Sequence, residues 1–496
     1  MSAAASDWRA VGLRSERGPI LLAVMLSVAL VALDMTILAT AVPSVVADLG
    51  GFAGFPWLFS IYLLAQAVTG PLFGRLADVI GRKSVMLAGI SLFLLGSLLC
   101  GLAWGMVPLI IFRVVQGIGA GAVQPIGMTI MGDIYTLPER AKVQAYIAGV
   151  WAAASVVGPA LGGVFSDYLD WRWIFFVNLP IGAVALWLIS RHLDEHVETS
   201  KSRVDYLGGS LVTAGGTLLL VGLLEGGQRW SWTAPPTLGV FAGSLACLSA
   251  YVLVSSRVPE PILPLWIFKR PVLNATNAGS LLIGMVMMGL STYVPLYAQQ
   301  VLGSGAIAAG LVFAAMTLGW PVTAALAGRL YLRVGFRATA VTGALIATVG
   351  GALLPTLGDD TPLWWVAVPN LILGLGFGLI ASPGIVAAQA SVRWFERGVA
   401  TASNLFARNL GSAIGVAAFG TVLYSALRER TGATPGNLDQ LPAATLGSAI
   451  HGVFVLSAVI PLVLVLACLC IPRTVGPPEP PPGRGRELDV TGAINQ

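Results

Sequence analysis

The 496-residue sequence predicts an all-α integral membrane protein made of two six-helix bundles with two extra helices between them, fourteen transmembrane helices in total. Three observations support this. Hydrophobic residues make up 56% of the chain and charged residues 10%, and the mean hydropathy is +0.83. Apolar windows recur at the length of about 20 residues that crosses a hydrocarbon core about 30 Å thick. The second half of the chain also echoes the first. The net charge of +5 is explained by loops facing the cytoplasm rather than by a nucleic-acid partner.

The N-terminal bundle covers residues 20–190, with windows at 20–43, 56–74, 84–103, 106–131, 142–166 and 173–190. Span one, within LDMTILATAVP, carries Asp34 in an otherwise uncharged run. An ionised carboxylate near the middle of a membrane helix costs roughly 2.5–3.5 kcal/mol. Loss of water penalises its charged form, which suits it to carry an exchangeable proton. The competing reading is an Asp neutralised by a partner purely for packing. Between spans two and three the sequence places a loop, GRLADVIGRK. Gly74 and Gly81 permit a tight turn and close helix approach. Asp78 sits among Arg75, Arg82 and Lys83, where it can pair or face a helix N-terminus. Span four contains RVVQGIGAG, with Arg113, Gln116 and Gly117. An arginine inside a span must pair or reach water, and the Asp34 region is its expected partner. The GxGxG at Gly117, Gly119 and Gly121 follows no strand, so helix packing is expected rather than a nucleotide loop. Span five contains GVWAAASVVGPALGG, whose Gly149, Gly158, Pro159, Gly162 and Gly163 predict a kinked, tightly packed gate.

Residues 191–271 form a linker with two additional spans at 205–225 and 236–255. The C-terminal bundle, 272–471, has windows at 273–299, 306–328, 338–357, 363–389, 398–425 and 447–471. GRLADVIGRK returns there as GRLYLRVGFR (Gly328–Arg337), and FRVVQGIGAG returns as PNLILGLGFG (Pro369–Gly378). LDMTILATAVP is matched loosely by MMGLSTYVP ending at Pro295. Duplicated helical units of this kind belong to transporters that rock around a site at the membrane midplane. The charges at Asp34, Asp78 and Arg113 have no counterpart in the second copy, which concentrates the charge machinery in the first.

With the N-terminus inside, 22 of the 28 Lys and Arg residues fall in cytoplasmic segments, four fall outside, and Arg113 and Arg408 lie within spans. That bias predicts both termini in the cytoplasm. The first apolar run lacks a cleavage site and is expected to be retained. Residues 1–19 form a cytoplasmic tail. Residues 472–496, with PPEPPP and GRGRE, are expected to be disordered and dispensable.

Taken together, the loop motif, RVVQGIGAG and GPALGG resemble the signature of the major facilitator superfamily, and the span count resembles its fourteen-span drug:proton antiporter branch. WRWIFFVNLPIG (Trp171–Gly182) and the EGG at Glu225–Gly227 are similar to that branch too. Val79 departs from the basic residue that the family places after its loop Asp. The resemblance implies a major facilitator fold and a cytoplasmic gate latched by Asp78. It also implies that Arg113 tunes proton binding and that the GPALGG segment marks an antiporter rather than a symporter.

Polar and aromatic residues at mid-span depth are candidates to line a greasy cavity: Tyr62, Gln66, Gln124, Asn178, Tyr293, Tyr297, Asn370 and Phe377. Packing explains each one equally well. Arg408 has two readings, selection of an anionic or zwitterionic substrate or simple packing of the bundle. Glu225 reads as interfacial. The four cysteines lie in apolar runs without metal or redox spacing, and the three histidines form no cluster, so no metal or cofactor is expected. All four lysines lie in loops, which argues against an embedded enzyme. The expected activity is export of hydrophobic drug-like or toxic compounds in exchange for protons. Rival readings are export of an endogenous metabolite, lipid or siderophore, and proton-coupled import. Expected partners are a small-molecule substrate, protons and the bilayer, with the protein a monomer. Arg outnumbers Lys by 24 to 4, which points to a GC-rich bacterial genome and a cytoplasmic (inner) membrane location.

Overall fold

The computed structural model describes residues 12–49, 56–195, 205–226, 230–258, 261, 264–431, 442–473 and 475. Among the described residues the chain forms fifteen α-helices. The first seven are α1 (Gly18–Leu49), α2 (Pro56–Ile80), α3 (Arg82–Gly101), α4 (Met106–Ile134), α5 (Leu137–Tyr168), α6 (Trp173–Phe176) and α7 (Asn178–His192). A hairpin of α8 (Tyr206–Glu225) and α9 (Pro235–Ser255) follows. The remainder are α10 (Pro271–Gln300), α11 (Ala306–Val334), α12 (Phe336–Leu353), α13 (Leu363–Ala390), α14 (Arg397–Thr431) and α15 (Ala443–Leu469). There is no strand among the described residues, only an isolated bridge between Gly226 and Trp230.

A helix stands at each of the fourteen expected windows. Thirteen are long and apolar enough to cross a bilayer, one of them formed by α6 and α7 together. The other is α8, whose apolar stretch Leu207–Leu223 is shorter. The outer tails, residues 196–204 of the linker, and Gly227 of the EGG segment lie outside the described residues. So do Arg9, Lys201, Arg203, Arg484 and Arg486.

Several helices overrun their windows: α1 continues to Leu49 and α2 to Ile80. A window scored on apolarity stops at the first charges, whereas the backbone ladder continues wherever i to i−4 bonds can form. GRLADVIGRK is therefore not a loop. Arg75–Ile80 are the last turns of α2, and Gly81 alone joins α2 to α3. Gly81 has φ 98°, and Gly335, which separates α11 from α12, has φ 87°. Only glycine adopts this region readily. The repeat thus extends to the backbone conformation at matching corners of the two halves.

Separate apolar clusters fill the halves. Val31, Phe93, Ile126, Met131 and Ile189 pack in the first, and Val286, Met316, Phe377, Phe419 and Phe454 pack in the second. The halves meet mainly along α2 against α14 and α5 against α11, with α4 touching α14. Small residues allow that approach. A Cβ on Gly74 would fall 2.8 Å from the Gly398 carbonyl oxygen. The α8–α9 hairpin lies outside both bundles, and Leu220 of α8 packs on Val68 of α2 near Phe406 of α14. Leu245, Leu253, Leu462 and Leu466 are exposed, as a lipid-facing surface requires. Trp104, Tyr168, Trp173 and Trp364 are exposed near helix ends, where amphipathic rings anchor at the interface.

The glycines of α4 are packing positions. A Cβ on Gly117 would sit 2.6 Å from the Tyr62 carbonyl oxygen of α2, and Gly119 faces the Phe93 backbone of α3. Gly117→Val is expected to destabilise the protein by about 1–3 kcal/mol through overpacking. A melting temperature in detergent that matched the parent would refute this packing.

Candidate functional site

Asp34 lies about halfway along α1 and is 2% exposed, while Arg113 and Gln116 of α4 are 0% exposed. The spacing of three between Arg113 and Gln116 puts both on one helical face, turned toward α1. Arg113 Nη1 donates to Asp34 Oδ2 at 2.5 Å and to Gln116 Oε1 at 2.7 Å. Gln116 Nε2 donates to the second Asp34 oxygen at 2.7 Å and to Ser97 Oγ of α3 at 3.1 Å. Both carboxylate oxygens are therefore engaged. The guanidinium is held in place by the Leu58 carbonyl, 2.9 Å from Nε, and by the Tyr62 ring, 4.1 Å from Cζ. Ser97 donates to the Phe175 carbonyl and accepts from Asn178 Nδ2 at 2.9 Å. One polar network thus joins α1, α2, α3, α4, α6 and α7 inside an apolar bundle. Of the Arg113 nitrogens, Nη2 has no hydrogen-bond partner among the described residues, and removing either member of a buried pair strands the other charge.

The second constellation joins the two halves at their arginine-rich end. Asp78, at the end of α2, accepts from the Gly398 and Val399 backbone N–H groups at 3.2 and 3.1 Å. These are orphan donors in the first turn of α14, so the carboxylate caps that helix and faces the positive end of its dipole. Arg82 Nη2 donates to Asp78 Oδ1 at 2.9 Å and to the Trp394 carbonyl at 3.0 Å, and its Cζ lies 3.8 Å over the Trp394 ring. Asp133 of α4 lies 3.1 Å from Arg82 Nε and accepts from Arg397 Nη1 at 2.9 Å. Gln389 of α13 donates to the Met128 carbonyl at 3.2 Å and to Thr401 Oγ1 at 3.0 Å. Glu195, beyond α7, accepts from the Arg82 and Lys83 backbone N–H groups at 2.9 and 2.8 Å and so caps α3.

The remaining sequence candidates do not converge on one cavity. Tyr62 and Asn178 belong to the Asp34 network rather than to a cavity wall, because Arg113 and Ser97 recruit them. Gln66 and Gln124 bond to each other at 2.9 Å and line a small cavity with Ala402, Leu405 and Asn409. Tyr293 packs on Phe419, and Phe377 packs on Trp320, within the second half. Asn370 donates to Val366 O one turn back on its own helix. Tyr297 donates to the Gly358 carbonyl at a helix end, bordering a cleft of about 240 Å³ with Asp359 and His451. Tyr293, Phe377 and Asn370 thus make packing or same-helix contacts, and Tyr297 borders a cleft. Of the α5 glycines, Gly158 is buried against Thr36 of α1, which donates to Ala154 O at 3.0 Å. Gly149 and Gly163 face open space, whereas Gly162 is buried. α5 runs unbroken through Pro159 and Gly162. Arg408 lies in α14, partly exposed.

Asp133, Gln389, Ser97, Trp394 and Glu195 escaped the sequence reading. The isolation of Gln389 in an apolar span was a usable signal. The others are ordinary residues at span ends or in packed helices, given significance by a neighbouring helix.

Arg113→Gln is expected to destabilise by about 3–5 kcal/mol, because it leaves Asp34 buried without its counter-ion, and Asp34→Asn in the same chain is expected to recover part of that loss. Thermal unfolding of the two variants checks this, and a double variant less stable than Arg113→Gln alone would contradict it. Asp78→Asn removes the charge that caps α14. In a cysteine-free background carrying Ala402→Cys, it is expected to raise alkylation at residue 402 several-fold, since charge-assisted bonds contribute about 1.5–3 kcal/mol. Equal labelling would show that Asp78 does not hold the halves together.

The family model of the Major Facilitator Superfamily matches residues 24–416. The multidrug transporter protein MdtP of Bacillus subtilis (strain 168) is 35% identical over 412 residues, 83% of this chain and 76% of that protein. Multidrug resistance protein 3 of the same organism is 34% identical over 403 residues, 81% of this chain and 79% of that protein. The efflux pump dotC of Dothistroma septosporum (strain NZE10 / CBS 128990) is 33% identical over 446 residues, covering 87% and 75%. Among solved structures, the human organic anion transporter MFSD10 superposes with a TM-score of 0.65 at 15% identity, covering 91% of this chain and 99% of that one, a likeness of fold alone. The chain belongs to the Major Facilitator Superfamily, as a multi-pass membrane transporter rather than an enzyme.

Proposed function

We propose that the protein exports hydrophobic drug-like or toxic compounds across a bacterial cytoplasmic membrane in exchange for protons. The observation that carries this reading is the Asp34 carboxylate, buried deep in α1 with Arg113 and Gln116 on its two oxygens. The relatives named as multidrug transporters support the substrate class. In the cycle, the arginine-rich end faces the cytoplasm, and the Asp78 latch closes that side. Proximity of Arg113 favours the charged carboxylate. A rearrangement that draws Arg113 away leaves Asp34 desolvated and favours proton uptake from outside. Protonation then accompanies release of substrate outward, and deprotonation to the cytoplasm resets the site. The unit of transport is a single copy of the chain.

Asp34→Asn is expected to abolish uncoupler-sensitive accumulation of ethidium in everted membrane vesicles, measured per amount of folded variant because the loss of Arg113's counter-ion lowers stability. Full proton-driven transport by this variant would overturn the role given to Asp34.

A further inference from the structure

Arg408 lies well inside α14, away from the charged helix ends, and the proposed coupling mechanism does not use it. It lies eleven residues into α14 from Arg397, about 16 Å along the helix axis at 1.5 Å per residue. That is about two and a half turns beyond Val399, which Asp78 caps. Among the described residues no carboxylate lies within ion-pair distance of its guanidinium, and no side chain or carbonyl accepts a hydrogen bond from it. The buried arginines are different. Arg113 and Arg82 each have a carboxylate partner, and Arg140 donates to the Tyr135 and Gly132 carbonyls. Nor can the second half supply an acid. Helices α10–α13 and α15 contain none, and α14 has none before Glu429. Asp34, the deep acid of the first half, is already engaged by Arg113.

The direction of Arg408 follows from the helix. Thr421, Ser425 and Arg428 are exposed along one outer face of α14. At about 100° per residue, Arg408 lies about 140° round the helix from Thr421, turned away from that face. It falls between the stripe that packs on α10, where a Cβ on Gly284 would collide with the Arg408 carbonyl, and the stripe of Leu405 and Asn409. Leu405 and Asn409 border the cavity shared with Gln66 and Gln124. Arg408 itself is partly exposed, and its chain neighbour Asn409 borders that cavity.

We infer that Arg408 is the recognition point for the acidic group of an amphipathic organic anion. The substrate class is an apolar, aromatic-sized body bearing a carboxylate or sulfonate, entering the space between the halves when the latch opens. The guanidinium would hold that group bidentately, and the amides of Gln66, Gln124 and Asn409 would supply neutral polar contacts. The inference rests on the reading of the protein as an exporter and adds a charge preference to it.

The test uses the full-length protein in proteoliposomes under an imposed proton gradient, with fluorescein as the anionic probe and ethidium as the cationic one. The parent is expected to transport fluorescein. Arg408→Gln is expected to lower the ratio of fluorescein to ethidium transport at least tenfold, and Arg408→Lys is expected to restore part of it. Fluorescein quenching by the purified variants separates loss of binding from loss of folding, since a folded Arg408→Gln protein should bind fluorescein at least tenfold more weakly. An unchanged ratio in Arg408→Gln, whether both rates fall together or neither does, would overturn the inference. Transport of ethidium without fluorescein by the parent would overturn it too, while leaving the export reading standing. Transport of neither probe would sink both.

Discussion

The ion pair between Asp34 and Arg113 is the constraint around which the first bundle is arranged. Two opposite charges are held away from water, where neither is tolerable alone, and six helices contribute to making the pair acceptable. Gln116 occupies the second carboxylate oxygen, Leu58 and Tyr62 hold the guanidinium, and Ser97 and Asn178 fix the Gln116 amide from behind. Apolar packing could not set the relative positions of these helices so sharply, because Leu and Val contacts tolerate sliding, whereas hydrogen bonds of 2.5–3.1 Å do not. Gly117 and Gly119 complete the arrangement by letting α4 lie close to α2 and α3.

Among the described residues the second bundle holds no such pair within a span; Arg270 meets Glu396 at 3.1 Å at the helix ends. Its helices meet through glycine contacts and neutral amides, such as Asn404 with Ser280 and Asn277. The asymmetry has a physical reading. One half holds its helices around a buried charge pair, and the other packs them through neutral contacts. The latch lies where the two meet. Its strongest elements are not a simple ion pair but a carboxylate seated on a helix N-terminus, with an arginine stacked on Trp394 beside it.

Much of this was legible in the sequence, for identifiable reasons. Asp34, Arg113 and Arg408 stand out because a lone charge in an apolar run is expensive. The fourteen windows are visible because lipid demands length and apolarity. The helix ends were misjudged for the same reason, since hydropathy says nothing about how far the backbone ladder continues past the lipid. GRLADVIGRK therefore read as a loop, although all but Gly81 is helical. Depth in a span does not reveal which side of the helix a residue faces, so the sequence alone does not separate Tyr297, Asn370 and Phe377 from packing residues. Asp133, Glu195 and Trp394 were invisible because their meaning depends on partners 50 or more residues away in sequence.

Helix α14 has 35 residues and is therefore about 52 Å long. It is a stiff rod whose first turn is seated on Asp78 and which carries Arg408 about a third of the way along. A tilt of about 10° around its midpoint moves the end by about 4 Å, more than the length of the bonds from Gly398 and Val399 that seat it. The same tilt shifts Arg408, roughly 10 Å from that midpoint, by less than about 2 Å. The helix is a lever with its fulcrum near the charge, so unlatching the rim scarcely displaces the guanidinium.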